Sequence, residues 1–493
     1  MRPIYIYILF GLVLSILFSS GQIENPDTHL RLTQTRIIVD DHRFGLEEDV
    51  GENMHGNIAI NKAGQRHMVY NPGQTITFIP LYYIANFITS DEVSAYYFSA
   101  YFASFLNYMV HALCAFLLFK IALILGVSKK QAYLASMFFG ITSYSFVFAQ
   151  STYEHHFEMF FILISSYYAL KKNTENSGLY SGLMLSLGLV FRTTTILAVP
   201  AILLMQSDNK ERLKSLTTLG IGVGFIMLYN YYRFGSPFES GYSLAWSLAH
   251  SDKFDFWSLS RIPIAFFGFL FSPGKGLIFF STTIVVAFWG IKTFWKKQRL
   301  ISYSILLISA TYLGSFSMNF AWHGSIWSYG PRYILPIIPF LYLPIIYLKP
   351  KKWVFTVMLF AFILQVGLIS VNYKRDVLKD YITNNGLSDI EYIYSLKKEP
   401  HLVQVKQLAI ILPKNLKKLI NYQPNSPWKK ETRRASSTVV INSSIEKNSI
   451  NFWWVRIFHW KFSSIGRFVS VVILILGFLG AIMLFKYVKR EII

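Results

Sequence analysis

Long apolar runs alternate with shorter polar segments along most of this chain of 493 residues. Most runs are close to the ~20 residues that an α-helix needs to cross a bilayer. They cover residues 4–20, 96–125, 131–149, 156–170, 178–191, 193–206, 216–231, 277–294, 300–318, 333–348, 352–371 and 467–486. The pattern therefore predicts an all-α polytopic membrane protein with about twelve transmembrane helices.

Lysine and arginine of the short loops fall on one side of the predicted membrane. The basic loops contain Lys129 and Lys130, Lys171 and Lys172, Lys210 with Arg212 and Lys214, and residues 292–299, 349–352 and 486–490. Because cytoplasmic loops are enriched in Lys and Arg, we expect these loops inside the cell. The longer outer loops are residues 21–95, 151–156, 232–276 and 319–333. We expect a plasma (inner) membrane protein whose active site faces the extracytoplasmic side.

The loop lengths divide the chain into three parts. Residues 1–372 form a transmembrane module, and its first outer loop, residues 21–95, contains a short apolar stretch typical of a juxtamembrane helix. Residues 373–466 are basic, and we expect them outside because long loops translocate largely regardless of charge. Residues 467–493 form a final transmembrane helix and a cytoplasmic tail.

Composition excludes the class of soluble globular proteins. Hydrophobic residues make up 53% of the chain and charged residues 15%, and the mean hydropathy is +0.38. The positive-inside pattern also enriches Lys and Arg, so the formal net charge of +21 does not point to nucleic acid, and none is expected as a partner. A single cysteine, Cys114, leaves no intrachain disulfide and no thiolate metal site.

Ionisable residues follow the first apolar run within the sequence ENPDTHLR, residues 24–31. An ionised carboxylate at the membrane surface can take a proton from a hydroxyl group, and Arg31 lies one helical turn after Asp27. Asp27 is therefore a candidate general base. The alternative is that Asp27 caps a helix that begins at THLRLTQTRII, because Asp is a favoured N-cap residue.

Four cations interrupt apolar sequence on the outer side: Arg192, Arg233, Lys275 and Arg332. Placing an Arg or Lys at mid-bilayer costs roughly 2.5–3.5 kcal/mol, so such residues need a partner or must reach the interface. A phosphate at headgroup depth is one such partner, and snorkelling of each side chain is the alternative. The neighbouring glycines and prolines allow close approach of the backbone to a ligand.

Further polar residues of the outer loops are candidate substrate contacts. They are His67 and Tyr70 in GQRHMVYNPG, Glu239 in RFGSPFESGY and His323 in WHGSIWSYGPRY, with Trp322, Trp327 and Tyr329 as candidate stacking groups or members of an interfacial aromatic belt. Glu154, His155 and His156 are also adjacent in STYEHH. Adjacent histidines of a regular helix cannot face one metal, so a hydrogen-bonding or interfacial role is favoured for them.

Six segments carry a family resemblance. They are PDTHLR, GQRHMVYNPGQTITFIPLYYI, FRTTTILAVP, NYYRFGSPFESGY, FLFSPGKGLIFFS and WHGSIWSYGPRYILPIIPFL. In this order, over about residues 1–350, the chain resembles the lipid-carrier-dependent glycosyltransferases of the GT-C superfamily, and is similar to protein mannosyltransferases and the lipid A aminoarabinose transferase. Many relatives have a Lys before the Pro-Gly pair, where this chain has Tyr70 and Asn71.

The resemblance implies a multispan helical enzyme that moves a sugar from a polyprenyl-phosphate donor to an acceptor, with inversion. It assigns the role of base to Asp27, and Arg31 matches an arginine that often follows the base. The acceptor is a lipid, a glycan or a protein. A divalent metal is compatible with the acidic outer residues, but no loop spacing matches a calcium motif. The alternative function is a transporter or flippase of a lipid-linked or anionic solute, which needs ionisable residues at mid-bilayer.

Overall fold

The computed structural model describes most of the chain. The described residues are 3–48, 50, 56–171, 175–247, 256–325, 328–349, 351–373, 377, 389–420, 450–455 and 464–492. All statements below concern these residues.

Helices make up most of the described structure. The α-helices are α1 Pro3–Phe18, α2 Pro26–Asp40, α3 Gly73–Ile88, α4 Glu92–Ile124, α5 Lys129–Thr142, α6 Tyr144–Phe148, α7 His155–Leu170, α8 Ser177–Phe191, α9 Val199–Met205, α10 Asn209–Phe234, α11 Tyr242–Ser247, α12 Ile262–Phe271, α13 Leu277–Phe280, α14 Phe288–Lys297, α15 Arg299–Met318, α16 Ile338–Tyr342, α17 Lys352–Ile369, α18 Asp389–Tyr394, α19 Pro400–Ile420 and α20 Ser464–Ile492. Short 3-10 helices cover Ala149–Ser151, Thr193–Ala198, Leu259–Arg261, Thr282–Ala287, Arg332–Ile337, Leu343–Tyr347 and Leu396–Lys398.

The predicted all-α polytopic class is confirmed. By length and composition, 4 described helices can cross a membrane, namely α4, α15, α17 and residues 468–488 of α20, and a fifth span results if α5 and the bent segment after it are counted together. Several other predicted runs are divided into shorter pieces. The run at 333–348 contains three prolines, which remove backbone donors and break it into α16 and two flanking 3-10 helices.

The break between α5 and α6 shows how freed backbone groups are satisfied inside the protein. The two helices meet at a bend of 48°. The carbonyl oxygen of Gly140 lies 2.8 Å from Nε2 of His111 on α4, and the amide of Tyr144 donates to Oγ of Ser281 at 2.9 Å. Unpaired backbone groups are costly in an apolar interior, so these two side chains make the bend tolerable.

Small residues allow the closest helix packing. A Cβ atom added to Gly182 of α8 would lie 2.2 Å from the backbone carbonyl oxygen of Ser215 on α10. Such contacts between backbones are the usual way in which membrane helices gain van der Waals packing energy. The large apolar core continues from α1, α4 and α5 through α7 and α15.

The region after α1 contains α2, α3 and a small hairpin. Strands β1 (Ile58–Ile60) and β2 (Arg66–Met68) pair antiparallel, with Ala59 opposite His67. Helix α3 covers the apolar stretch that was predicted to be juxtamembrane, and it contains Pro80.

A C-terminal segment, residues 450–455, packs against the C-terminal end of α1. The amide of Trp453 donates to the carbonyl oxygen of Ser19 at 3.0 Å, and its indole N–H donates to the carbonyl oxygen of Ile16. Trp453 is fully buried. Gly21 has a φ of 72°, and a Cβ atom there would lie 2.6 Å from Cβ of Trp453, so the contact needs a glycine.

Candidate functional site

Helix α2 fixes the position of Asp27. Asn25 is the N-cap, because its side chain accepts from the amide of Thr28 at 2.8 Å, and Pro26 occupies the first turn. Asp27 therefore lies inside the first turn, and the alternative in which Asp27 itself caps the helix is wrong. The positive end of the helix dipole favours a carboxylate at this position.

Asp27 pairs with an arginine from a distant part of the chain. Oδ2 of Asp27 lies 3.4 Å from Nη1 of Arg332, and the side chains are 15% and 12% exposed. The guanidinium of Arg332 also lies over the ring of Tyr153 at 4.6 Å and near that of Tyr333 at 5.1 Å. The residues are 305 positions apart, so only the folded chain brings them together.

A buried series of ion pairs lies beside the Asp27–Arg332 pair. Nη1 of Arg31 lies 3.0 Å from Oε2 of Glu154, and the other oxygen of Glu154 contacts Nη1 of Arg192. Nε of Arg192 then lies 3.0 Å from Oε2 of Glu158. Glu154 and Glu158 are four residues apart at the start of α7, so they share one helix face. Together with Asp27 and Arg332, three carboxylates here face three guanidinium groups.

The charges of the site set its protonation. Burial alone would raise the pKa of the Glu154 carboxyl, but the charges of Arg31 and Arg192 outweigh burial and hold the pKa below its ordinary value. Burial and the Asp27 charge hold the pKa of the Tyr70 hydroxyl well above its usual range. The Tyr70 ring lies 4.0 Å below the Arg31 guanidinium. Tyr70 is therefore a neutral hydroxyl donor at this site.

The site joins element ends that the sequence predicts on one side of the membrane. They are the beginning of α2, the beginning of α7, the C-terminal end of α8 at Arg192 and the 3-10 helix that begins at Arg332. The ion pairs connect these ends directly. Four of the predicted residues, Asp27, Arg31, Arg192 and Arg332, thus lie together, with Tyr70 beside them.

Arg233 contacts the β1–β2 hairpin, whose second strand contains His67. Nη1 of Arg233 donates to the carbonyl oxygens of Met68 at 2.6 Å and Tyr70 at 3.2 Å. The His67 ring packs against Phe234, and burial with the neighbouring Arg233 charge lowers its pKa to about 4. In this structure Arg233 holds the strand that leads to Tyr70, and contact of either residue with substrate stays a prediction.

Lys275 holds the loop that leads to Arg332. Its buried Nζ donates to the carbonyl oxygen of Ser325 at 2.9 Å and to that of Ser328. His323 in the same loop is buried, and burial with the charges of Lys275 and Arg332 lowers its pKa to about 3. Lys275 and His323 therefore lie in the support of the Arg332 loop.

Two further predicted groups have other surroundings. Glu239 accepts from the amide of Gly241 at 2.7 Å and from the hydroxyl of Ser243 at 2.6 Å. Trp322 packs on Phe269, whereas Trp327 lies outside the described residues. Substrate contact of Glu239 stays a prediction.

Glu158, Tyr153 and Tyr333 were absent from the candidates, and Glu154 had no assigned charge partner. The signal that could have found the two glutamates is Arg192 itself, because an arginine at a membrane boundary needs a carboxylate within reach. The spacing of four residues between Glu154 and Glu158 provides two on one face. Among the described residues, no group of three or more His, Cys, Asp or Glu could hold a metal ion.

Fold and site together define a polytopic helical membrane protein with a charge-paired site at the helix ends. No family model and no curated protein matches the sequence. Among solved structures, the chain is similar to ArnT from Cupriavidus metallidurans bound to undecaprenyl phosphate, with 10% identity, a TM-score of 0.44, and coverage of 97% of this chain and 76% of that chain.

Two further solved structures are similar. For ArnT in the apo state the identity is 11%, the TM-score 0.48 and the coverage 96% of this chain and 75% of that chain. For the apo oligosaccharyltransferase of Archaeoglobus fulgidus the identity is 10%, the TM-score 0.43 and the coverage 82% and 63%. The first of these structures holds undecaprenyl phosphate and the third is an oligosaccharyltransferase, and at these identities the likeness concerns the fold.

Proposed function

We propose that this protein is a membrane glycosyltransferase that moves a sugar from a polyprenyl-phosphate donor to an acceptor outside the cytoplasm, with Asp27 as general base. The observation that carries the proposal is the pairing of Asp27 with Arg332 beside the buried Arg31, Glu154 and Arg192 network. One carboxylate that is still 15% exposed thus lies beside cations suited to a phosphate.

Asp27 supplies the proton acceptor of the reaction. Its carboxylate takes the proton of an acceptor hydroxyl as that oxygen attacks the anomeric carbon. The bond from the anomeric carbon to the phosphate oxygen breaks, and the polyprenyl phosphate leaves with the bonding electrons. Attack from the face opposite the leaving group inverts the anomeric centre. A phosphate is already a good leaving group, so no separate acid is needed.

Arg332 interacts with both the general base, Asp27, and the leaving phosphate. Its contact with Asp27 is long, at 3.4 Å, and its guanidinium is stacked on Tyr153 and Tyr333. A guanidinium held in this way stabilises the charge that develops on the leaving phosphate. The proposed catalytic module is residues 1–372, the active site faces the extracytoplasmic side of the plasma (inner) membrane, and the acceptor is a lipid, a glycan or a protein.

The test is an Asp27→Asn variant of the purified full-length protein in lipid nanodiscs. We expect a folded protein whose transfer rate from polyprenyl-phosphate sugars falls roughly 10²- to 10⁴-fold, the usual contribution of a general base. Asp41→Asn at the other end of α2 is the matched control and should keep the wild-type rate. An Asp27→Asn rate within a factor of three of wild type would refute the assignment of the base.

Donor and acceptor can be identified in the cell that makes this protein. Mass spectrometry of lipid-linked sugars and envelope glycans, with and without the gene, should show accumulation of one polyprenyl-phosphate sugar and loss of one glycan decoration. Unchanged profiles of both pools would contradict the proposed function.

A further inference from the structure

One histidine beside the charge-paired site has no visible hydrogen-bonding role. His155 is the first residue of α7 and is 1% exposed. Within the described part of the chain, neither of its ring nitrogens has a hydrogen-bond partner. A buried, unpaired polar group destabilises a folded protein, so such a residue needs an explanation.

The surroundings of His155 point to an anionic ligand. Its ring lies 5.8 Å from that of Tyr153 and 6.0 Å from that of Tyr333, the two aromatic groups that hold Arg332. The charges of Arg192, Arg332 and Arg31 all act on it. The N-terminal end of α7, which begins at this residue, adds the positive end of a helix dipole.

Protonation of His155 is opposed by its surroundings. Burial and three neighbouring guanidinium groups all disfavour a further positive charge. A neutral imidazole carries one N–H donor and one acceptor nitrogen. The three neighbouring guanidinium groups can attract an anion in addition to the carboxylates they already contact, and the N–H is the group that can bond to it.

We propose that His155 is a ligand-binding residue whose ring N–H donates to a phosphate oxygen of the polyprenyl-phosphate donor. This inference rests on the proposed function, and it adds a neutral, directional donor to the guanidinium groups that are suited to a phosphate. The adjacent His156 differs, because its Nε2 lies 3.0 Å from the carbonyl oxygen of Ser145 and so has a structural role.

The experiment compares two neighbouring substitutions in the full-length protein in nanodiscs, His155→Phe and His156→Phe. Equilibrium binding of radiolabelled polyprenyl phosphate and of uncharged polyprenol is measured, together with the thermal unfolding midpoint. For His155→Phe we expect affinity for the phosphate to fall roughly 10- to 100-fold, as for loss of a hydrogen bond to a charged group. Its polyprenol affinity should be unchanged, and its midpoint equal to or above that of wild type.

The control should show the opposite result. His156→Phe loses a hydrogen bond to Ser145, so its midpoint should fall while its preference for phosphate over alcohol stays as in wild type. His155→Asn, which keeps an N–H donor, should recover part of the lost phosphate affinity. This recovery separates hydrogen bonding from a role of ring shape alone.

The outcomes separate the two proposals. If the wild-type protein binds polyprenyl phosphate and His155→Phe binds it equally well, the role of His155 is overturned and the proposed function stays intact. A wild-type protein that shows no preference for polyprenyl phosphate over polyprenol would overturn both. A lower midpoint of His155→Phe with an unchanged phosphate preference would mean that His155 is structural.

Discussion

Replacing Glu154 by Gln removes the charge that joins two buried arginines. Its two oxygens contact Arg31 and Arg192, and the Glu154 side chain is only 4% exposed. Gln has nearly the same size, so the substitution leaves packing in place. It leaves two guanidinium groups to share Asp27 and Glu158 as the remaining carboxylates of the site.

The expected loss of stability is large because the pair is buried. Removal of one partner of a buried ion pair costs about 3–5 kcal/mol, since the other charge stays buried without compensation. The matched control is Asp41→Asn, whose pair with Arg43 is 3.4 Å long, with side chains 35% and 48% exposed. An exposed pair of this kind contributes about 0–1 kcal/mol. The two variants should therefore differ by at least about 2 kcal/mol in the free energy of unfolding.

The assay measures unfolding of the purified protein in detergent. The same measurement is then made on the double variant Glu154→Gln with Arg192→Gln. Contacting residues of one network usually show coupling of about 0.5–3 kcal/mol, so the double variant should lose less than the sum of the two single losses. Because Glu154 has a lowered pKa, its stabilisation is present above about pH 4.3 and is lost as pH falls through its folded pKa. A Glu154→Gln variant as stable as Asp41→Asn would refute this reasoning.

Three further predictions concern the supports of the site. Lys275→Met should lower the free energy of unfolding by about 1–3 kcal/mol, because it removes the donor to buried carbonyl oxygens. It should also slow sugar transfer, because Arg332 is displaced. Unchanged stability and an unchanged rate would contradict this prediction. The pKa of His67 is about 4 in the folded chain, so the stability that its neutral form gives the fold is complete above pH 6.5. Up to about 3 kcal/mol of the free energy of unfolding is lost as pH falls to 4. In pH-dependent unfolding, His67→Phe should lack this loss. Trp453→Ala should lower stability by about 3–5 kcal/mol, measured by thermal unfolding, because the indole is fully buried against α1; a smaller loss than 1 kcal/mol would show that the contact is dispensable.

Hydrophobic patterning predicted the all-α class and the helix order well, since each apolar run contributes its own transfer energy wherever it lies in the chain. It predicted helix continuity less well. The run at 333–348 is divided because its prolines remove backbone donors, and α5 ends at a bend that His111 and Ser281 stabilise from other helices.

The residues of the site were predictable in part. An arginine at a membrane boundary is expensive enough to be noticed in sequence, so Arg192 and Arg332 were found. The carboxylate partners of Arg192 were not assigned, because its pairing with Glu154 and Glu158 depends on how α7 and α8 pack. Lys275 and Arg233 looked like free cations in sequence, but each donates to backbone carbonyl oxygens of a distant loop.

The sequence by itself determined the membrane class and the presence of a carboxylate with cations near it, because these depend on residue type and local order. Tertiary structure alone decided that Asn25 caps α2, which leaves Asp27 to meet Arg332, and that His155 lies unpaired among three arginines. These features depend on short-range contacts between segments far apart in the chain. Electrostatic and hydrogen-bond energies fall steeply with distance, so only the packed helices define them.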